Sequence, residues 1–234
     1  MKFTKFIYIE LWKMMRNRKI LAFLLVETIV IGISMLNIQN DPPSTIYLSP
    51  YMGISLTFRF IYSAMIVSEI FSKDKDRGIF NTYIACGVGE KTIIFGKILC
   101  VCIILLLCTC FSLILYTCIN WGMQGLSFMD KDYFASVILT IIPLFINALF
   151  LFIVDGVLGN AFITIFTAIS FVMMSSFIPY SIAKWLYISY SNPITTILYQ
   201  GRDGVSCMIF TFIVSFVVFL ILIYQLFIRK RKSF

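Results

Sequence analysis

Thr92–Asn120 reads TIIFGKILCVCIILLLCTCFSLILYTCIN, and Lys97 carries the only charge in it. A helix needs about 20 apolar residues to cross a bilayer, because ~1.5 Å per residue must cover ~30 Å of hydrocarbon. This run is longer than that, and similar runs lie on both sides of it, at Ile20–Ile38, Pro50–Phe71, Tyr133–Val154, Val157–Ile178 and Ser206–Ile228. Hydrophobic residues make up 60% of the chain against 13% charged, with a mean hydropathy of +0.96, more apolar surface than one soluble core of this size can hide. The pattern predicts an all-α membrane protein, a single domain over residues 1–234 built on six transmembrane helices.

The same run holds or adjoins Cys100, Cys102, Cys108, Cys110 and Cys118; Cys86 and Cys207 lie elsewhere. In an apolar helix, cysteines pack as small hydrophobes. A disulfide framework needs a loop-rich fold on an oxidising face, and a zinc site without histidine lacks its commonest nitrogen ligand, so neither is expected. The opening MKFTKFIYIELWKMMRNRK has no small-residue cleavage site after the first apolar run, which is expected to remain as a membrane helix. Between the runs, Gln39–Ser49 holds Asp41-Pro42-Pro43 and reads as an external turn. Trp121–Asp132 reads as a short polar loop, Asp155-Gly156 as a tight turn, and Pro179–Val205 as a long aromatic segment.

Orientation follows from the basic residues. Lys2, Lys5, Lys13, Arg16, Arg18 and Lys19 precede the first run. Lys73, Lys75, Arg77, Lys91 and Lys97 fall around the second-to-third connection, and Arg229, Lys230, Arg231 and Lys232 close the chain. Six spans place all three groups on one side, the cytoplasm, leaving only Lys131, Lys184 and Arg202 opposite and Arg59 within a span. The net charge of +8 is therefore explained by the insertion rule and by anionic membrane lipids, and a nucleic-acid partner is not expected.

Two segments next to the membrane have their own character. In Phe3–Met15, apolar Phe3, Phe6, Ile7, Leu11 and Met14 form one helical stripe, with Tyr8 and Trp12 suited to headgroup level, so residues 1–19 read as an interfacial helix. In Ser68–Lys97, SEIFSKDKDRGIFNTYIACGVGEKTIIFGK, the second span ends at Glu69 and Lys73–Arg77 reads as a solvated bend in which Asp74 or Asp76 caps a helix start. A short helix follows at Ile79–Ala85, with apolar Ile79, Phe80, Tyr83 and Ile84, and Gly87-Val88-Gly89 stops it. Its apolar side is too small to fold alone, so lipid or a partner protein is expected to cover it.

This arrangement resembles the permease subunits of ABC exporters of the type-2 class, and in size it is similar to the short permeases of bacteriocin or lantibiotic self-protection. In that family an interfacial elbow helix precedes the first span, the second span ends in an acidic residue, and a short coupling helix containing a glycine leads through a small-residue turn to a third span that begins near a lysine. Glu69, Gly78, the Cys86-Gly87 turn and Lys97 occupy those positions, with Gly87 and Gly89 where the family commonly has proline. Pro193, in YISYSNPITTILY, sits where members often carry a proline in outer-face helices.

The resemblance implies a bacterial plasma-membrane protein with both termini cytoplasmic, exporting an antimicrobial peptide or another amphipathic compound. It implies a second permease chain, the same or related, and a separate cytoplasmic ATPase that receives the coupling loop, residues 72–91, through Gly78, Ile79, Phe80, Tyr83, Ile84 and Gly87. ATP and magnesium would belong to that subunit. This chain would bind no cofactor and would not be an enzyme.

Gly87-Val88-Gly89-Glu90-Lys91-Thr92 is a decoy for a phosphate-cradling loop, because Glu90 splits the Gly-Lys pair and no strand precedes it. Glu27 and Arg59 lie inside apolar runs, where each charge costs ~2.5–3.5 kcal/mol on insertion scales. They are predicted to pair between the first two spans, as a structural staple or as part of a gate. Asp155 reads as a loop residue. The aromatic segment at 179–205 reads as a re-entrant or surface-lying helical pair on the outer face. Competing readings are an intramembrane enzyme, a substrate-capturing subunit of an uptake system, a secondary transporter, and a sensor or assembly factor. The first needs a paired Asp, a Ser–base arrangement or a His-based metal site, and the sequence offers none.

Overall fold

The computed structural model describes residues 3–16, 18–36, 48–124, 131–175 and 193–229, and these are helical apart from short turns. We number the helices α1 (Phe3–Met15), α2 (Arg18–Leu36), α3 (Leu48–Ile70), α4 (Ser72–Asp76), α5 (Ile79–Ala85), α6 (Glu90–Gln124), α7 (Lys131–Leu158), α8 (Ala161–Ser175) and α9 (Pro193–Ile223). A π-helical turn over Tyr224–Arg229 follows α9. Among the described residues three helices are long and apolar enough to cross a membrane: Glu90–Ile119 of α6, Ile141–Leu158 of α7, and Gly204–Leu226 at the end of α9. They make the chain a membrane protein. At ~1.5 Å per residue α6, with 35 residues, measures ~52 Å and extends well beyond the hydrocarbon.

Several boundaries move from those read off the sequence. The third apolar helix starts at Glu90 rather than Thr92 and runs through Trp121 to Gln124, so that the expected polar loop begins later. α7 passes through Asp155-Gly156 without turning. A single glycine costs a helix only ~1 kcal/mol, and neighbouring apolar residues offset it. The turn comes at Gly159-Asn160 instead. Gly159 takes φ 62°, and Asn160 caps α8 by accepting hydrogen bonds from the backbone N–H of Phe162 (2.9 Å) and Ile163 (3.4 Å). The segment Lys73–Arg77 is solvated at Lys75, Asp76 and Arg77, as expected, but is helical rather than bent. Residues 72–76 form the short helix α4, Asp74 is buried, and α5 is preceded by Gly78 at φ 67° with no side-chain cap. Thr195–Tyr199, expected to form a separate outer-face element, lies in the first turns of α9, which is continuous from Pro193. Proline at a first helical position needs no N–H partner there. The Asp41-Pro42-Pro43 turn, the aromatic stretch 179–192 and Lys230–Lys232 lie outside the described residues.

The core runs along α3, α6 and α7. Tyr62, Val67, Ile70 and Phe71 pack with Val101, Ile104 and Leu105 of α6 and with Leu149, Leu151 and Phe152 of α7. A polar contact inside it bridges two helices: the Asn147 amide of α7 donates to Ser63 Oγ of α3 at 2.7 Å. The first turn of α2 meets the last turn of α3, where Lys19 pairs with Glu69. α1 lies on the start of α6, with Phe6 against Gly96, where a Cβ would fall 2.5 Å from the Phe6 ring. The ends of α7 and of the last helix meet α4, α5 and the start of α6 around a shared cleft. One end of the bundle thus gathers α1, α4, α5 and the beginnings or ends of the longer helices.

Candidate functional site

That crowded end contains a group of buried ions. Lys97, about two turns into α6, is fully buried. Its ammonium donates to the Ile70 carbonyl at the end of α3 (2.8 Å) and to Asp74 of α4, and it lies 3.7 Å from Glu10 of α1. Lys13, one turn after Glu10, reaches Asp74 Oδ1 at 2.5 Å and stands 3.7 Å from Glu10 Oε2. Tyr83 of α5 donates its phenol proton to Glu10 Oε1 at 2.6 Å. Burial and the Glu10 carboxylate both push the Tyr83 phenol well above its ordinary pKa, so it stays protonated and remains a donor. Glu10, Asp74 and Lys97 are buried, and the half-buried Lys13 ammonium at their edge completes the balance of two carboxylates and two cations.

Rings shield this network. The Lys97 ammonium lies 5.0 Å from the centroid of Phe80 and 6.0 Å from that of Tyr83. Phe6 meets Tyr83 edge-on at 5.1 Å, and Phe80 meets Phe71 edge-on at 5.3 Å. Ion pairs therefore join α1, α4 and α6, and α5 is held against them at two points, Phe80 and Tyr83.

This alters what α5 can offer outward. Phe80 and Tyr83, expected to face a partner protein, are half-covered by the chain's own α1, α3 and α6. The exposed residues of α5 are Asn81, Thr82, Ile84 (39%) and Ala85, followed by Cys86 and Gly87. Ile79 is half-buried, and Gly78 and Gly87 bracket the helix with φ of 67° and 78°. Glycine adopts these angles without the strain a Cβ brings.

A second charged site joins α2 and α3. Arg59 of α3 donates from Nε to Glu27 Oε1 of α2 at 3.1 Å and from Nη2 to Oε2 at 3.3 Å. Ser55, one turn before Arg59, donates to the same carboxylate at about 2.9–3.0 Å. Glu27, Ser55 and Arg59 are all buried, so the structure brings together the two charges that lie within apolar runs. Glu69, at the end of α3, accepts from Lys19 and, at 2.6 Å, from Lys73.

Sequence reasoning missed Glu10, Lys13 and Asp155. Glu10 interrupts the α1 stripe, on the same side as Phe6 and Met14 at spacings of four, a signal that could have marked it as buried. Asp155 is fully buried, accepting from Ser72 of α4 and Thr164 of α8, each at 2.8 Å. It ties three helices rather than sitting in a loop. No group of three or more metal-ligating residues occurs among the described residues.

No family model, no curated protein and no solved structure matches this chain.

Proposed function

We propose that this chain is the permease subunit of an ATP-driven export system of the ABC type-2 class, and that α5 is its coupling helix. Six spans cross the bacterial plasma membrane (α2, α3, α6, α7, α8 and α9), both termini are cytoplasmic, and α1 is the elbow helix. A separate ATPase carries ATP and magnesium, and a second permease chain completes the pathway. The cargo is an amphipathic compound such as an antimicrobial peptide.

The observation that carries this reading is the way α5 is mounted. A seven-residue helix between two left-handed glycines, with its outer side open, is held by the Tyr83 hydrogen bond to buried Glu10 of α1 and by the Phe80 and Tyr83 rings against Lys97 of α6. A push on α5 cannot be absorbed locally without parting Tyr83 from the buried Glu10 carboxylate and both rings from Lys97. It would move α1 and α6 instead, as a lever does.

Purification of the tagged chain from its host in gentle detergent, with co-purifying proteins identified by mass spectrometry, tests the proposal. It predicts a soluble protein with Walker motifs, lost in Ile84→Asp and Thr82→Asp but kept in Phe162→Asp on α8. Clean purification without an ATPase would favour a sensor, an assembly factor or a secondary transporter.

A further inference from the structure

Beside the buried network lies a cleft of about 520 Å³, large enough for a small-molecule-sized group. Its apolar walls are Phe71, Phe80, Ile94, Val157 and Leu226, and the polar residues Lys75, Asn81 and Glu90 stand among them. Three membrane-crossing segments reach it with their ends: Glu90 begins the one in α6, Val157 lies one residue from the end of the one in α7, and Leu226 closes the one in α9. A cleft bracketed by helix ends in this way sits where hydrocarbon gives way to headgroups. Its one lysine differs from those nearby. Lys73 is paired with Glu69, and Lys97 is buried with Asp74, whereas Lys75 is exposed and has no ion-pair partner among the described residues. It extends over the α7–α8 turn, its ammonium 3.6 Å from where a Cβ on Gly159 would lie.

We propose that this cleft binds the headgroup and upper acyl chain of an anionic phospholipid, with the phosphate on Lys75 and the methylenes against Phe71, Ile94, Val157 and Leu226. An ammonium beside apolar walls at headgroup depth matches a charged phosphate joined to a hydrocarbon chain. The cleft touches Phe80 and Asn81 of α5, so a bound lipid would bear directly on that helix. The proposal needs only that these helix ends share one membrane surface. It does not depend on the transport reading.

Native mass spectrometry of the purified chain, titrated with phosphatidylglycerol against phosphatidylcholine, tests it. The expected result is a preferred phosphatidylglycerol adduct whose occupancy falls at least about fivefold in Lys75→Glu, the weight of one cation at an anionic surface. Val157→Trp, which fills the cleft from an exposed position and leaves the charge in place, should lower it as well, and Lys5→Glu on exposed α1 should not. Unchanged occupancy in both cleft variants would overturn the proposal. So would an equal loss in Lys5→Glu, which would mean diffuse attraction. A co-purifying polypeptide displaced by Val157→Trp while the lipid stays would assign the cleft to a protein instead.

Discussion

Glu27–Arg59 and Asp74–Lys97 are both buried ion pairs that hold helices together, and they differ in reach. The first joins neighbours in the chain, α2 and α3, through a carboxylate held by Arg59 and Ser55. The second lies at the centre of a network joining α1, the end of α3, α4, α5 and α6, across separations of up to 87 residues between Glu10 and Lys97 and 73 between Glu10 and Tyr83. A clasp between adjacent helices fixes one angle. A network beneath a short surface helix fixes how that helix moves relative to everything else. Stability effects should therefore be largest at the clasp, where one cation meets one anion, and functional effects largest at the network.

Arg59→Met would leave the Glu27 carboxylate buried beside a thioether, and stability in detergent should fall by about 3–5 kcal/mol. Adding Glu27→Gln should recover much of that loss, because the amide carries no charge to strand. A thermal-unfolding series of the two single variants and the double variant checks this, and independent, additive losses would break the comparison. Lys97→Met should cost less, about 2–3 kcal/mol, since Lys13 still faces both carboxylates. Gly96→Ala should cost about 1–3 kcal/mol, because the new methyl meets the Phe6 ring and lifts α1 from α6. Tyr83→Phe removes one hydrogen bond to a charged acceptor, worth about 1.5–3 kcal/mol where it is fully desolvated and less here, where Tyr83 is half-buried. Lys73→Ala should change stability by at most about 1 kcal/mol, as Lys73 is more than a third exposed and Lys19 keeps Glu69 paired.

The sequence revealed the clasp more fully than the network, for a physical reason. A charge inside an apolar run has no solvent to hide in, so Glu27 and Arg59 each required a partner and each was the other's nearest candidate. Glu10, Lys13 and Asp74 stand in segments already rich in charge, where solvation is the ordinary expectation. Only packing shows that Glu10 and Asp74 are buried where α1 meets α4 and α6.

The limits of α5 were legible because glycines bracket an apolar heptapeptide. Which of its faces turned inward was not, because Ile79, Phe80, Tyr83 and Ile84 spread around so short a helix. Asp155 misled for the opposite reason: Asp-Gly is a turn signature in general, but here Ser72 and Thr164 satisfy the carboxylate and the helix continues. The long helices followed from hydropathy, while their ends moved wherever a cap such as Asn160, rather than composition, set the boundary.

The central claim is that the exposed side of α5 meets a soluble ATPase. The most direct measurement is photocrosslinking in intact cells from a benzophenone amino acid placed at position 84, with position 162 on α8 as the comparison. The account predicts a protein crosslink from position 84 to a soluble subunit carrying Walker motifs, and none to that subunit from position 162. Crosslinks from position 84 to lipid alone, or the same ATPase captured equally from both positions, would contradict it.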